Sequence, residues 1–194
     1  MNIHIILSVA ASTVFALSLA WYVRDVAKGR VRVAIATIAM LALINLSQLG
    51  ALMAKQLWYV VPFTAVAFVM NMLIIIFGIR NGKFQLKPLD IAVCIGAFLG
   101  LIAWYTTGDA AMNIYILTVV MLLSIIPIVT KTFRDPSSET KLPWLLNFGA
   151  AILFLGTIQS PEPAAWLVQA RQFVFAVLMV VGVHFPVVKI KKVK

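Results

Sequence analysis

Residues 124–144, SIIPIVTKTFRDPSSETKLPW, interrupt a long apolar stretch of the chain. The segment has Pro127 inside an apolar run, continues through basic, acidic and hydroxyl side chains, and ends on Pro143 and Trp144. A short polar segment between two apolar runs is typical of a hairpin between membrane helices, because the runs lie in lipid and the turn lies in water. We therefore expect two helices joined by a hairpin at a membrane surface.

The composition of the whole chain also favours a membrane protein. Of its 194 residues, 63% are hydrophobic and 11% are charged, and the mean hydropathy is +1.04. One soluble core cannot bury this much apolar surface. The net charge of +10 is spread over short loops, which argues against nucleic acid as a partner. The single cysteine, Cys94, lies in an apolar run and excludes a disulfide framework or a CxxC metal site.

The chain contains seven apolar runs that approach the ~20 residues a helix needs to cross a bilayer core. They lie near residues 5–23, 33–53, 60–79, 90–106, 112–130, 142–158 and 167–188. We predict an all-α membrane protein with seven transmembrane helices and the lipid bilayer as its main surrounding partner.

The basic residues predict the orientation of these helices. Fourteen of the 16 Lys and Arg residues follow the first, third, fifth and seventh spans, whereas Lys55 and Arg171 lie on the other side. Cytoplasmic loops carry an excess of Lys and Arg, which places the N-terminus outside and the C-terminus in the cytoplasm. Trp and Tyr prefer the headgroup level. All of them fall near predicted span ends: Trp21, Tyr22, Trp58, Tyr59, Trp104, Tyr105, Tyr115, Trp144 and Trp166.

The fourth span divides the chain into two groups of three helices. We assign residues 1–82 to a first three-helix bundle, 83–110 to a linker helix and 111–194 to a second three-helix bundle. A single linker helix restores the starting side of the membrane, so the bundles would be parallel repeats about an axis along the membrane normal. This prediction depends on helix count, loop charge and spacing.

Two segments, YVRDVAKGRVR (22–32) and IVTKTFRDPSSETKLPWLL (128–146), occupy corresponding places in the two predicted bundles. With the architecture, they resemble the SWEET and PQ-loop superfamily of seven-helix transporters, and in particular small bacterial PQ-loop-like membrane proteins. The superfamily has a Pro-Gln pair near the cytoplasmic end of the first helix of a bundle. Pro127 matches the Pro, but Ile128 replaces Gln, and the first bundle has Trp21-Tyr22 instead.

The resemblance implies two parallel three-helix bundles around a linker helix, and movement of a small polar solute such as a sugar by alternating access. It also implies a bacterial inner (plasma) membrane location. An aromatic residue often opens the second helix of a bundle in this superfamily, which Trp144 matches. An asparagine in the third helix of a bundle is similarly placed in family members, which Asn71 matches.

Polar side chains inside the apolar spans are the candidates for solute contact. They are Asn45, Gln48, Asn71, Ser124 and Asn147. Polar groups in lipid usually face a bundle interior or a cavity, and amides suit neutral hydroxylated ligands because they both donate and accept hydrogen bonds. The alternative is that these groups hydrogen-bond between helices. Trp144 would shape the inner side of the same site.

Prolines and glycines suggest where the helices bend or pack. Pro127 and Pro186 are candidate hinges for rocking of the bundles, or they end helices beside the cytoplasm. Pro62 and Pro143 are expected in the first turns of their helices. The small-residue segment GAFLG (96–100) is typical of close helix packing or of a dimer face, which leaves a homo-oligomer open.

The remaining polar residues limit the chemistry. For Arg171 we favour a side chain that snorkels outward, over pairing with Glu162 or lining an outer vestibule with Gln169 and Gln172. His184 is interpreted as a packed or interfacial residue. The sequence has no catalytic constellation, no metal spacing and no cofactor motif, so we expect neither an enzyme nor a cofactor.

Two functions stay open at this point. The first is a facilitator or uniporter for a small polar solute, because the spans have no Asp or Glu at their middles for proton coupling. The second is a receptor or membrane scaffold with the same fold that does not transport. A transporter needs polar groups from both bundles around one cavity, whereas a scaffold can have a packed, dry centre.

Overall fold

The computed structural model describes residues 3–31, 33, 35–79 and 88–185. These residues form helices and short connections and contain no strand, which confirms the all-α prediction. The α-helices are α1 (Ile3–Ala27), α2 (Ile35–Ala54), α3 (Val61–Gly78), α4 (Pro88–Thr107), α5 (Ala110–Arg134), α6 (Lys141–Leu155) and α7 (Pro163–His184). A 3₁₀ turn, Pro136–Ser138, lies in the hairpin between α5 and α6.

Six of these helices are long and apolar enough to cross a membrane. The exception is α6, an apolar helix of 15 residues, whose length of roughly 22 Å is shorter than a bilayer core. Large apolar side chains cover the outer surface of the bundle, and Ile76, Leu99 and Val119 are each more than half exposed. Exposure of such an apolar surface is unfavourable in water and favourable in lipid. The chain is therefore an integral membrane protein.

The helix ends follow local chemistry. Asp109 caps α5 through its Oδ1, which accepts a hydrogen bond from the backbone N–H of Ala111 at 2.9 Å. Gly108 has a φ of +69°, a backbone conformation that glycine adopts without strain, and it allows the tight turn between α4 and α5. Pro62 and Pro143 lie in the first turns of α3 and α6 as predicted, where a missing N–H breaks no helical hydrogen bond.

Six helices pack side by side in a closed order that we call the six-helix ring. Starting from α1, each contacts the next in the order α1, α6, α7, α5, α2, α3, and α3 contacts α1 again. The remaining helix, α4, packs against α5 and α2. A ring of six helices leaves space along its axis, since interaxial distances of 8–10 Å prevent opposite helices from meeting.

The connections between helices lie at two ends of the ring. The basic end carries Arg24 in the last turn of α1, Lys28 and Arg30 just after that helix, and Lys131 and Arg134 in the last turn of α5. The Lys55 end carries the short turns that precede α3, α5 and α7.

Small residues let α4 approach α5 closely. A Cβ added at Gly96 would lie 2.5 Å from Cγ2 of Val120, and one added at Gly100 would lie 2.6 Å from Oδ1 of Asn113. Asn113 is fully buried, and its Nδ2 donates to Oγ of Ser47 on α2 at 3.1 Å. The GAFLG segment therefore serves close packing within the chain, beside a polar contact that joins α5 to α2.

We expect Gly100→Ala to destabilise the protein, because the new methyl group displaces the Asn113 amide from its contact with Ser47. Overpacking of this kind costs about 1–3 kcal/mol. The matched control is Gly149→Ala in α6, where an added Cβ would have no atom within 4 Å. Thermal unfolding of the purified variants in detergent should show a lower Tm for Gly100→Ala than for Gly149→Ala. Equal values would show that α4 can shift without loss.

Candidate functional site

A cavity lies on the axis of the six-helix ring and is lined by side chains from all six of its helices. Its volume is about 110 Å³, several times the ~10–15 Å³ that one water requires. Four of the predicted solute-contact residues line it: Asn45, Asn71, Trp144 and Asn147. The structure thus brings together residues that lie more than a hundred positions apart in sequence.

The three asparagines differ in how far their hydrogen bonds are already used. Asn45 Nδ2 donates to the Leu41 carbonyl at 2.9 Å, and Asn147 Oδ1 accepts from Gln172 Nε2 at 3.0 Å. Asn71 is half-buried, and its side chain makes no hydrogen bond to the described residues. Asn71 is therefore the amide with most capacity for a solute.

Two other predicted residues do not line the cavity. Ser124 Oγ donates to the Met121 carbonyl at 2.8 Å, so the hydroxyl is hydrogen-bonded within its own helix. Gln48 is fully buried, and its Oε1 accepts a hydrogen bond from Arg171 Nη2.

Of the proposed hinges, Pro127 lies inside α5, where its missing N–H leaves the Leu123 carbonyl without an i+4 donor. Pro186 lies outside the described residues.

The position of Arg171 differs from the expectation that it snorkels outward. The residue is 7% exposed and lines the cavity. Its Nη1 donates to the Leu117 carbonyl at 3.4 Å and its Nη2 to Gln48, so the guanidinium joins α7 to α5 and α2. The snorkelling prediction was wrong because two acceptors inside the ring hold the side chain there. A basic residue within an apolar span was the available signal.

Stacked phenylalanines border the cavity toward the Lys55 end. The ring of Phe63 lies between those of Phe15 and Phe154, with centroid distances of 4.1 and 4.0 Å and nearly parallel planes. The same buried cluster continues through Leu57 and Val60, just before α3. These rings and aliphatic side chains form a packed apolar layer between the cavity and that end. Sequence reasoning missed this layer, because phenylalanine in a membrane helix is ordinary.

A second aromatic group borders the cavity toward the basic end. Trp144 meets Tyr22 and Phe175 edge-on, with centroid distances of 5.9 and 5.6 Å. Its Nε1 also donates to Oε2 of Glu139 at 3.3 Å, and the other oxygen of that carboxylate lies 3.1 Å from Nζ of Lys131. Trp144 thus connects the cavity wall to an ion pair in the 124–144 hairpin.

At the opposite end, Lys55 joins three connections. Its Nζ lies 3.2 Å from Oε1 of Glu162 and 3.6 Å from Oδ1 of Asp109. These carboxylates immediately precede α7 and α5, whereas Lys55 follows α2. The hydrogen bond to Glu162 raises the pKa of Lys55 above its ordinary value of 10.5.

No family model, curated protein or solved structure matches this chain. Its chemistry is therefore inferred from the cavity. Amides accept and donate hydrogen bonds, a guanidinium attracts negative charge, and aromatic walls provide apolar contact. This combination can bind a small solute that has both polar and apolar parts.

We expect the stability that Lys55 contributes to be lost at high pH. A raised folded-state pKa means that the contribution is complete below about pH 10.5 and disappears as the pH rises through the folded value. Between about pH 9 and 11.5, the Tm of the wild type should therefore fall further than that of Lys55→Met. The difference should be small, because the carboxylates are exposed. The control is Lys28→Met, an exposed lysine; parallel curves for wild type and Lys55→Met would contradict the expectation.

Proposed function

We propose that this protein is a facilitator that moves a small polar solute across the membrane by alternating access. One observation carries the proposal: polar side chains from both predicted bundles line the same cavity. Asn45 and Asn71 come from α2 and α3, whereas Asn147, Arg171 and Gln172 come from α6 and α7. A scaffold can have a packed, dry centre, whereas a transporter needs a cavity lined by both bundles, so this cavity favours transport over the scaffold alternative.

The helix contacts support two SWEET-like bundles with α4 as the linker. In the first bundle α3 packs against α1 and α2, and in the second α7 packs against α5 and α6. Between the bundles, α1 meets α6 and α2 meets α5. Exchanging α1 with α5, α2 with α6 and α3 with α7 turns each of these contacts into another. That is the pattern expected of parallel repeats related by a twofold axis along the membrane normal.

This arrangement favours seven crossings, with the shorter α6 continued by its flanking turns at the two surfaces. The basic end would then face the cytoplasm and the Lys55 end would face outward, in a bacterial inner membrane, as the positive-inside rule predicts. Within the described residues, Lys28, Arg30 and Lys131 lie at the basic end.

The two aromatic layers would act as alternate barriers. In the present arrangement the Phe15, Phe63 and Phe154 rings stack face to face and separate the cavity from the Lys55 end. The Lys55 ion pairs add contacts between the bundles at that same end. Opening there requires that the stacked rings separate and the ion pairs break. Pro127 in α5 would allow that helix to bend as the bundles rock.

Facilitated movement is the simplest mechanism for this cavity. Its described lining residues include no Asp, Glu or His, so they offer no group that would carry a proton with the solute near neutral pH. The solute would then follow its own gradient, and in the case of a charged solute the membrane potential as well.

The proposal is tested by uptake into proteoliposomes from a panel of labelled glucose, glycerol, alanine and lactate. At least one solute should enter faster than into protein-free liposomes and should show counterflow when the vesicles are preloaded. Asn71→Leu should abolish that uptake, because it removes the least engaged amide of the cavity. The matched control is Met72→Leu, which changes an exposed neighbour on α3 and should leave uptake intact.

One result would contradict the transport proposal, and another would contradict the role of Asn71. Absence of uptake for every solute, from protein that is monodisperse and folded, would favour the receptor or scaffold alternative. Unchanged flux in a folded Asn71→Leu variant would remove this residue from the solute path.

A further inference from the structure

The charge of Arg171 has no counter-ion among the residues that the structure describes. The described residues include all six Asp and Glu side chains of the sequence, and each lies in a connection or near a helix end. Those with ion pairs are bound to other cations: Asp25 to Arg24 and Arg30, Asp109 and Glu162 to Lys55, and Glu139 to Lys131. Asp90 accepts a hydrogen bond from Thr37, and Asp135 one from Ser137.

The hydrogen bonds of Arg171 leave part of its guanidinium unused. A guanidinium has five N–H groups, and those of Arg171 bond to the Leu117 carbonyl and to Gln48 Oε1. Neither acceptor carries a charge, so the positive charge of Arg171 stays uncompensated, although only 7% of the residue is exposed. Gln48 Nε2 is also buried without an acceptor among the described residues. Both side chains therefore offer donors near the cavity and need an acceptor.

We propose that the solute of this cavity is a small monocarboxylate, bound through its carboxylate to Arg171. The proposal deepens the transport function and rests on it for the route by which the solute reaches the site. The planar fork of a guanidinium matches the two oxygens of a carboxylate, and ion pairs of this geometry are both strong and specific.

The charge balance of the cavity favours a single negative charge over two. Arg171 is the only basic residue among the described lining residues. A monoanion would leave the loaded cavity neutral, whereas a dianion such as a phosphate ester would bring one uncompensated charge into an apolar chamber, which is costly. A neutral sugar would leave the charge of the guanidinium unpaired.

The remaining walls suit the body of such a solute. The Asn71 amide makes no hydrogen bond to the described residues, and Asn147 retains its Nδ2 group after its Oδ1 accepts from Gln172. These amides can bind a hydroxyl or carbonyl group next to the carboxylate. Phe15 and Phe63 provide apolar contact on another wall. A short hydroxy acid or keto acid has these features within a volume compatible with about 110 Å³.

The first test is binding of matched probes to the purified full-length protein in detergent, measured by isothermal titration calorimetry at neutral pH. The probes are L-lactate against L-lactamide and propionate against propionamide, which differ in charge and little in shape. We expect each carboxylate to bind at least about tenfold more tightly than its amide, since hydrogen bonds to charged groups are the stronger ones.

The variant that tests the residue is Arg171→Met combined with Gln48→Leu, which removes both partners and leaves no orphaned acceptor on Gln48. It should lose the preference for carboxylates and should fold, because replacing both partners of a buried hydrogen bond by apolar groups of similar shape can be nearly neutral. Arg171→Lys keeps the charge but not the fork and should bind more weakly than the wild type. The matched control is Arg134→Met, an exposed arginine at the basic end, which should bind as the wild type does.

Uptake of the same probes separates this proposal from the transport function. Lactate uptake that requires Arg171, and that accelerates under an inside-positive potential set by potassium and valinomycin, supports both. Arg171-dependent lactate binding without uptake supports the carboxylate site and overturns transport. Uptake of a neutral solute, with no binding of either carboxylate, overturns the carboxylate site and leaves transport supported. If neither lactate nor propionate binds, the carboxylate site at Arg171 is overturned, whatever the uptake assay shows.

Discussion

Lipid offers no hydrogen-bond partner to a polar side chain, and this constraint decides where each polar group inside the bundle lies. Several hydroxyls return to their own helix, as Ser12 does to the Ser8 carbonyl and Thr118 to the Ile114 carbonyl. Others join helices, as Asn113 and Ser47 do between α5 and α2. Some polar groups that remain only partly used, Asn71 and Arg171 among them, line the cavity on the axis of the six-helix ring.

The ring geometry explains why these polar side chains line a cavity and do not lie in a packed core. Each helix of the ring contacts its two neighbours but not the helix across the ring. Only side chains can therefore fill the space along the axis. Large aromatic rings fill it at two levels, with Phe63 between Phe15 and Phe154 at one level and Trp144 at the other. Between these levels the side chains are shorter or polar, so the interior stays open. Packing of the aromatic side chains thus sets both the height and the ends of the cavity.

Hydropathy and charge predicted the helices well, because runs of apolar residues bounded by charged ones mark the segments that lie within the membrane. They do not report which way a side chain faces around its helix. Gln48 follows Asn45 by three residues on α2, a step of about 300°, and it leaves the cavity wall for a contact with Arg171. Arg171 itself has the same sequence signature whether it snorkels or points inward. The two acceptors that decide the matter, on α2 and α5, come from distant parts of the chain.

An unpaired guanidinium on the axis also bears on how such a protein would move. Closing the barriers around an empty cavity encloses a charge that nothing neutralises, and burial of an ion in a dry interior costs several kcal/mol, on the order of the gap between conformational states. Closing them around a bound monoanion encloses a neutral pair, for which that cost is reduced. The loaded protein would thus pass more easily than the empty one through the occluded state. Differential stability of this kind is what lets a ligand shift a conformational equilibrium, so Arg171 would both select the solute and couple its binding to the rocking of the bundles.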